Sequence, residues 1–319
     1  MPTPLYTQNV IAFIWDFDKT LTHGYMQEPL FEAYGVDALT FWREVNALKE
    51  HYSSRDLRIS SDSAYLGHIL RYVEEGVFAG LTNQRLQELG AAIRLAPGVP
   101  EFFASSKESV TADPRYSRHD IKVEHYVVST GLRKMLEGSA LADHVDGIWA
   151  CELLADPPGP GYLASPAPTP ETEGIVTQLG YVIDNTTKTR AIFEINKGVN
   201  KDDNIDVNTL IAPEDRRVPI KNMIYVADGP SDVPSFSVIN QNGGKTLGVY
   251  CPGSDAHYDA VASLEEQGRV QSIAEADYQP GKPAHMWLMR SLKKIADEVC
   301  AVRERTSAEL PGAPGHVVN

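Results

Sequence analysis

Six polar residues stand where the sequence could do chemistry. Asp16 and Asp18 follow the apolar run Val-Ile-Ala-Phe-Ile-Trp that ends at Trp15, Ser129 follows a second run ending at Val128, and Asp228 and Asp232 follow a third ending at Ala227. Lys188 lies in Thr-Lys-Thr-Arg, which opens a helical stretch. Two carboxylates one residue apart can divide nucleophilic from acid–base work when their surroundings push their pKa values apart. Four acids gathered at one place would repel an anionic ligand unless cations intervene. An all-oxygen donor set suits Mg²⁺, and Lys188 supplies a second positive charge.

These residues are far apart in the chain, so the elements between them must bring them together. The near-continuous apolar runs at 10–15, 123–128 and 222–227 read as strands buried on both faces of a parallel sheet, with one more at 245–249. Helices are expected over 99–107, 132–141 and 188–196. Strand alternating with helix indicates βαβ units, and the carboxyl ends of such strands share one edge where ligands bind. Asp16, Ser129 and Asp228 all fall at that edge.

Between the first and second strands the pattern changes. Apolar residues recur at helical spacing at Leu39, Trp42, Val45, Leu48 and Tyr52, again at Leu66, Ile69, Leu70, Val73 and Val77, and at Leu86, Leu89 and Ile93. The turn Pro97-Gly98-Val99-Pro100 ends this unit. The predicted architecture is an α/β core of residues 1–23 and 95–300 with a Rossmann-like parallel sheet, a small all-helical domain over 24–94, and a flexible tail over 301–319. Residues 155–172 hold six prolines and read as an irregular surface excursion.

The segments Asp16-Phe17-Asp18-Lys19-Thr20-Leu21-Thr22, Val127-Val128-Ser129-Thr130-Gly131, Thr187-Lys188-Thr189-Arg190 and Val226-Ala227-Asp228-Gly229-Pro230-Ser231-Asp232, in this order, resemble the motifs of the haloacid-dehalogenase-like (HAD) hydrolases. The helical unit after the first motif resembles their C1 cap, and the chain is most similar to phosphoserine-phosphatase-like members. The resemblance implies a Mg²⁺-dependent phosphatase acting on a small phosphate monoester. Asp16 would attack phosphorus and form an aspartyl-phosphate, while Asp18 would protonate the leaving alkoxide and then activate water. Asp16, Asp228 and the Asp18 backbone carbonyl would hold Mg²⁺, with Asp232 orienting Lys188 or a metal-bound water. Ser129, the Thr130 and Gly131 N–H groups at a helix start, and Lys188 would bind the phosphoryl oxygens. A phosphotransferase using the same intermediate and a non-catalytic HAD-fold binding protein are the alternatives.

Asp18 itself narrows the reaction, because a proton donor at this place serves an alkoxide leaving group and is not needed to expel halide. For the alcohol end of the substrate, the family pattern puts a cap glutamate nine residues after the nucleophile. Here Tyr25 holds that place, leaving Glu28 as the candidate, with Arg43, Arg55, Arg58 and Arg71 as candidate cap cations. Gly24 and Pro97-Gly98 flank the cap as hinges, and His23 reads as a hinge or surface residue or a substrate contact.

Charge sets the remaining limits. With 43 acidic and 29 basic residues in 319, the net charge of −14 argues against nucleic acid or anionic membrane as partners. The start of the chain shows no signal-peptide pattern and no run spans a membrane, so a cytoplasmic protein with three reduced cysteines is expected. Gly244-Lys245-Thr246 lacks the first glycine of a P-loop, and Gly159-x-Gly161 lies in the proline-rich stretch, so neither reads as a nucleotide site.

Overall fold

The computed structural model describes residues 7–60, 63–164 and 174–309. Its centre is a sheet of strands β1 (Val10–Trp15), β2 (Lys122–Leu132), β3 (Gly147–Ala155), β4 (Val176–Tyr181), β5 (Met223–Ala227), β6 (Lys245–Tyr250) and β7 (Ser272–Glu275), in the order β4-β3-β2-β1-β5-β6-β7. All neighbours pair in parallel except β4, which runs antiparallel to β3 at the edge. The pair β3 and β4 flanks the proline-rich stretch. Sequence patterning misses β4 because Val-Thr-Gln-Leu-Gly-Tyr is mostly exposed and carries no continuous apolar run, and it also misses β3 and the four-residue β7. Residues 165–173 of that stretch lie outside the described residues.

Both faces of β1 are covered, and that explains its unbroken apolar sequence. Ile11, Phe13 and Trp15 point into one core with Phe102, Phe103 and Leu288, whereas Val10, Ala12 and Ile14 point into a second core with Ile192, Ile195 and Phe236. The first core lies under helices α5 (Glu101–Thr111) and α11 (Pro283–Glu309); the second lies under α8 (Thr187–Lys197) and α9 (Val233–Gln241). Helix α11 continues to Glu309, so the expected flexible tail is helical over 301–309, and residues 310–319 lie outside the described residues. The segment is anchored at its start by Ala284, Leu288, Leu292 and Ile295, which are buried at helical spacing.

Between β1 and α5 come four helices, α1 (Glu28–Tyr34), α2 (Ala38–Ser53), α3 (Ala64–Glu74) and α4 (Asn83–Gly90). Asp37 caps α2 by accepting from Thr40 N–H at 2.9 Å, and Thr82 caps α4 by accepting from Arg85 N–H at 2.9 Å. Phe31, Phe41, Leu66, Ile69 and Phe78 close this layer into the first core. An antiparallel bridge between Thr22 and Leu95 joins the chain entering the helices to the chain leaving them. Helix α4 packs against α7 (Arg133–Gly138) by close backbone approach: a Cβ on Gly138 would lie 1.7 Å from the Gln87 carbonyl oxygen, and one on Gly90 2.1 Å from that of Met135. Among the described residues no helix is long and apolar enough to cross a membrane.

Candidate active site

Strand register places the site. Trp15 lies beside Val127 on one neighbour and Val226 on the other, so Asp16, Ser129 and Asp228 leave three adjacent strands at the same edge. The Asp16 N–H still donates to the Val226 carbonyl at 2.9 Å, extending the ladder and fixing the carboxylate to the sheet. Beyond it the chain closes a tight loop in which the Thr20, Leu21 and Thr22 N–H groups all donate to the Phe17 carbonyl. The turn puts Lys19 at φ 57°, a left-handed conformation that non-glycine residues adopt at some cost. Its ammonium lies 4.6 Å from the centre of the Tyr25 ring.

At the centre of the site is a buried ammonium. Lys188 Nζ donates to Asp16 Oδ1 and to Asp232 Oδ1, each at 2.7 Å, and Lys188 and Asp232 are 1% and 0% exposed. Tyr225 Oη–H donates to the same Asp232 oxygen at 2.6 Å, and Ser231 Oγ–H donates to the other at 2.8 Å. Asp232 is thus fully occupied as the holder of Lys188. Burial by itself would lower the Lys188 pKa, but Asp16 and Asp232 hold it well above its ordinary value, so the side chain is charged. Lys197, nine residues on, donates instead to the Val207 and Thr209 carbonyls and lies apart from this cluster.

The two carboxyls of the first motif occupy different surroundings. Burial raises Asp16 well above its usual range, with Lys188 pulling down and Asp232 and Asp228 pushing up. Asp18 turns away from that cluster, and its Oδ1 accepts the Met26 N–H at 2.8 Å. Burial, against the Met26 bond and aided by Asp228, pushes Asp18 up to about 7. One acid is locked to a cation and the other is poised between its protonated and ionised forms at neutral pH.

Carboxylate oxygens of Asp16, Asp228 and Asp232 lie within 4.8 Å of one another, close enough to face one cation. The donor chemistry fits a hard divalent ion. Asp232 accepts three hydrogen bonds, from Lys188, Tyr225 and Ser231, whereas Asp16 accepts two, from Lys188 and, at 3.3 Å, Thr20 Oγ–H, which leaves Asp16 and Asp228 with more capacity for an ion. The Asp18 carboxylate is not in this group, which leaves only its backbone carbonyl for a ligand role. His257, absent from any motif, stands behind Asp228 with Nε2 3.2 Å from Oδ2, at ion-pair distance but without hydrogen-bond alignment. Asp228 draws this imidazole up to about 9. The Cys251 N–H donates to His257 Nδ1 at 3.0 Å, however, and it can do so only while that nitrogen carries no proton, so this geometry holds the Nε2–H tautomer toward Asp228.

The second motif corrects the expected helix start. Strand β2 runs through Ser129, Thr130 and Gly131 to Leu132, with a register shift against β3 between Val128 and Leu132, and α7 is a separate six-residue helix. Ser129 is 1% exposed and accepts the Gly131 N–H at 2.9 Å. The bulge, rather than a helix terminus, is what aims this segment at the site. Met26 packs on it: the Leu132 N–H donates to Met26 Sδ at 3.0 Å, and a Cβ on Gly131 would lie 2.1 Å from Met26 Cε. A side chain at this position would require Met26 to move. From α3, Tyr65 Oη–H donates to the Thr130 carbonyl, and the Cys151 thiol donates to the same oxygen at 3.2 Å.

Glu28 does not join the acids. It accepts the Tyr25 N–H at 3.2 Å and lines a surface cavity with His23 and Arg94. His23 Nε2 lies 2.8 Å from the Ala276 carbonyl, tying the hinge to the core. Arg43, Arg55, Arg58 and Arg71 are all exposed, and Arg71 pairs with Glu74 and Glu75 on its own helix. Residues that sequence reasoning passed over are Tyr225, which reads as one more apolar residue of a buried strand, and Met26, Tyr65 and His257, which act through contacts across the fold. Only the position of Met26 just after the first motif offered a signal.

Motif order, the helical insertion after β1 and the edge on which Asp16, Lys188, Asp228 and Asp232 converge define a HAD-like α/β fold, the class that the four motifs implied. The chain belongs to one family with an uncharacterized protein of Borreliella burgdorferi, to which it is 38% identical over 289 residues, spanning 89% of this chain and 97% of that one. No protein-family model matches it. Similar solved structures include a HAD family hydrolase from Salmonella enterica serovar Typhi, at 12% identity and a TM-score of 0.48 over 85% of this chain and 68% of that one. A phosphoserine phosphatase captured as an analogue of its phospho-aspartyl intermediate is similar at 13% identity and a TM-score of 0.45, covering 83% of this chain and 93% of the other.

Proposed function

We propose that this chain is a Mg²⁺-dependent phosphomonoesterase that hydrolyses a small phosphorylated metabolite, with Asp16 as nucleophile and Asp18 as general acid and base. The observation that carries this reading is the unlike environment of two carboxyls one residue apart. Asp16 is held against the Lys188 ammonium at 2.7 Å, while Asp18, on the Met26 N–H, titrates at about 7. A nucleophile must be ionised, which the ammonium against Asp16 favours, and an acid must hold a proton, which burial favours at Asp18.

Asp16 and Asp228, with the Asp18 carbonyl, would hold Mg²⁺, and the bound ion would supply charge neutralisation and orientation of the phosphoryl group. Lys188, kept straight by Asp232 and Tyr225, neutralises Asp16 and offers a donor to a phosphoryl oxygen. Ser129, toward the carboxyl end of β2, the strand beside β1, would be a second donor. Asp18 gives its proton to the departing alkoxide and recovers it from the water that attacks the acylphosphate. The excess of acidic residues is compatible with a phosphate substrate because Lys188 stands among the carboxylates and a bound Mg²⁺ would add a second cation.

Phosphate release from p-nitrophenyl phosphate by the full chain tests the reading. Turnover should require Mg²⁺, stop with EDTA and resume when Mg²⁺ is restored. Asp16→Asn should lose turnover while keeping its fold. Full activity in Asp16→Asn, or activity indifferent to chelation, overturns the assignment.

A further inference from the structure

One buried polar atom in the neighbourhood of the site has no use in the reaction just described. Gln27 follows Met26, whose N–H holds Asp18, and it is 2% exposed. Its side-chain amide lies near the Tyr65 hydroxyl, which donates to the Thr130 carbonyl beside Ser129. Gln27 Oε1 has no hydrogen-bond partner among the described residues. An amide oxygen sealed from water without a partner is costly, and a ligand donor would remove that cost. The Met26 N–H on Asp18 and the Tyr65 hydroxyl on the Thr130 carbonyl tie this neighbourhood to the first motif and to β2.

We propose that Gln27 and Tyr65 form the subsite for the alcohol half of the substrate, Gln27 Oε1 accepting from a neutral donor such as a second hydroxyl, so that the preferred substrates are phosphate esters of polyols. This rests on the phosphatase reading and deepens it. The subsite residues Met26, Gln27 and Tyr65 are uncharged, so a carboxylate or ammonium on the alcohol would lose its hydration there without gaining a counter-ion. The arginines of the helical insertion that could have met a carboxylate are exposed, and the Lys19 ammonium is engaged with the Tyr25 ring. Gln27 in this place therefore selects hydroxyl over ionised groups, whereas a glutamate would select a cation.

Three probes on a three-carbon skeleton separate the possibilities: glycerol 3-phosphate with two hydroxyls, propyl phosphate with none, and O-phosphoserine with an ammonium and a carboxylate. A site built to pair a substrate hydroxyl rejects the analogue that lacks it, so kcat/KM for glycerol 3-phosphate should exceed that for propyl phosphate by about 10-fold or more, with O-phosphoserine no better than propyl phosphate. Gln27→Leu should bring the glycerol-to-propyl ratio to within about 2-fold of unity. Gln27→Glu, nearly the same shape, should raise O-phosphoserine relative to propyl phosphate, a change that loss of folding cannot produce. Equal rates for glycerol and propyl phosphates, a ratio that survives Gln27→Leu, or a wild-type preference for O-phosphoserine overturns the subsite while leaving the phosphatase intact. No release from any of the three or from p-nitrophenyl phosphate overturns the phosphatase reading itself.

Discussion

Lys188 Nζ and Asp16 Oδ1, 172 residues apart in the chain, meet at 2.7 Å inside the protein. With Asp232 on its other side, Lys188 is the ammonium set among three buried or half-buried acids. Removing it leaves those charges unpaired in a low-dielectric site. Lys188→Met should lower the unfolding free energy by about 3–5 kcal/mol at pH 7.5 and abolish turnover. Lowering the pH to 5.5 should restore part of the stability, because the orphaned acids then protonate. Urea titrations at the two pH values check this; equal losses at both would contradict it.

Asp18 gives a second prediction. Its folded pKa of about 7 lies above the ordinary 3.8, so its contribution to stability is complete below about 4 and is lost as pH rises through 7. Asp18→Asn should therefore stabilise the metal-free protein at pH 8, by on the order of 4 kcal/mol, and have little effect at pH 4. Turnover should move the other way. With Asp18→Asn, hydrolysis of alkyl phosphates, whose leaving groups need a proton, should fall by about 10²–10⁴-fold and fall more than hydrolysis of p-nitrophenyl phosphate.

His125 sets an acid limit. Fully buried, it accepts the Trp15 Nε1–H at Nδ1 (3.1 Å), pairs with Ser106 Oγ at 2.8 Å and stacks on the Phe103 ring at 4.1 Å. Burial, helped by Lys107, holds its pKa well below 6.5. Its stabilising effect is present above 6.5 and declines as pH falls, since only the unfolded chain takes up the proton. Between pH 6 and pH 5, His125→Gln should reduce the slope of unfolding free energy against pH by about 1.4 kcal/mol per unit, read from urea titrations.

Helices α4 and α7 make a packing prediction. Gly138 has the Gln87 carbonyl oxygen 1.7 Å from where a Cβ would stand. Backbone cannot yield as a flexible side chain can, so Gly138→Ala should destabilise by about 1–3 kcal/mol or more. Gly159→Ala, with open space around the position, should change thermal stability little.

Sequence alone determined the strands that carry chemistry, because strands covered on both faces must be apolar throughout and a polar residue ending such a run is conspicuous. It likewise determined the helical insertion, through the apolar spacing of α2, α3 and α4, and the identities of Asp16, Asp18, Ser129, Lys188, Asp228 and Asp232. Lys188 is legible as the lysine that opens a helix, but only the tertiary structure placed it between Asp16 and Asp232 and put Lys197, at the other end of α8, on the Val207 and Thr209 carbonyls. Only it showed that Ser129–Gly131 is a strand bulge, because the register shift depends on β3, whose partner β4 is too exposed to read. Glu28 and Gln27 are neighbours in sequence, yet one faces a surface cavity and the other is sealed beside Tyr65. Local pattern reports whether a residue is suited to burial, and long-range packing decides what it is buried against.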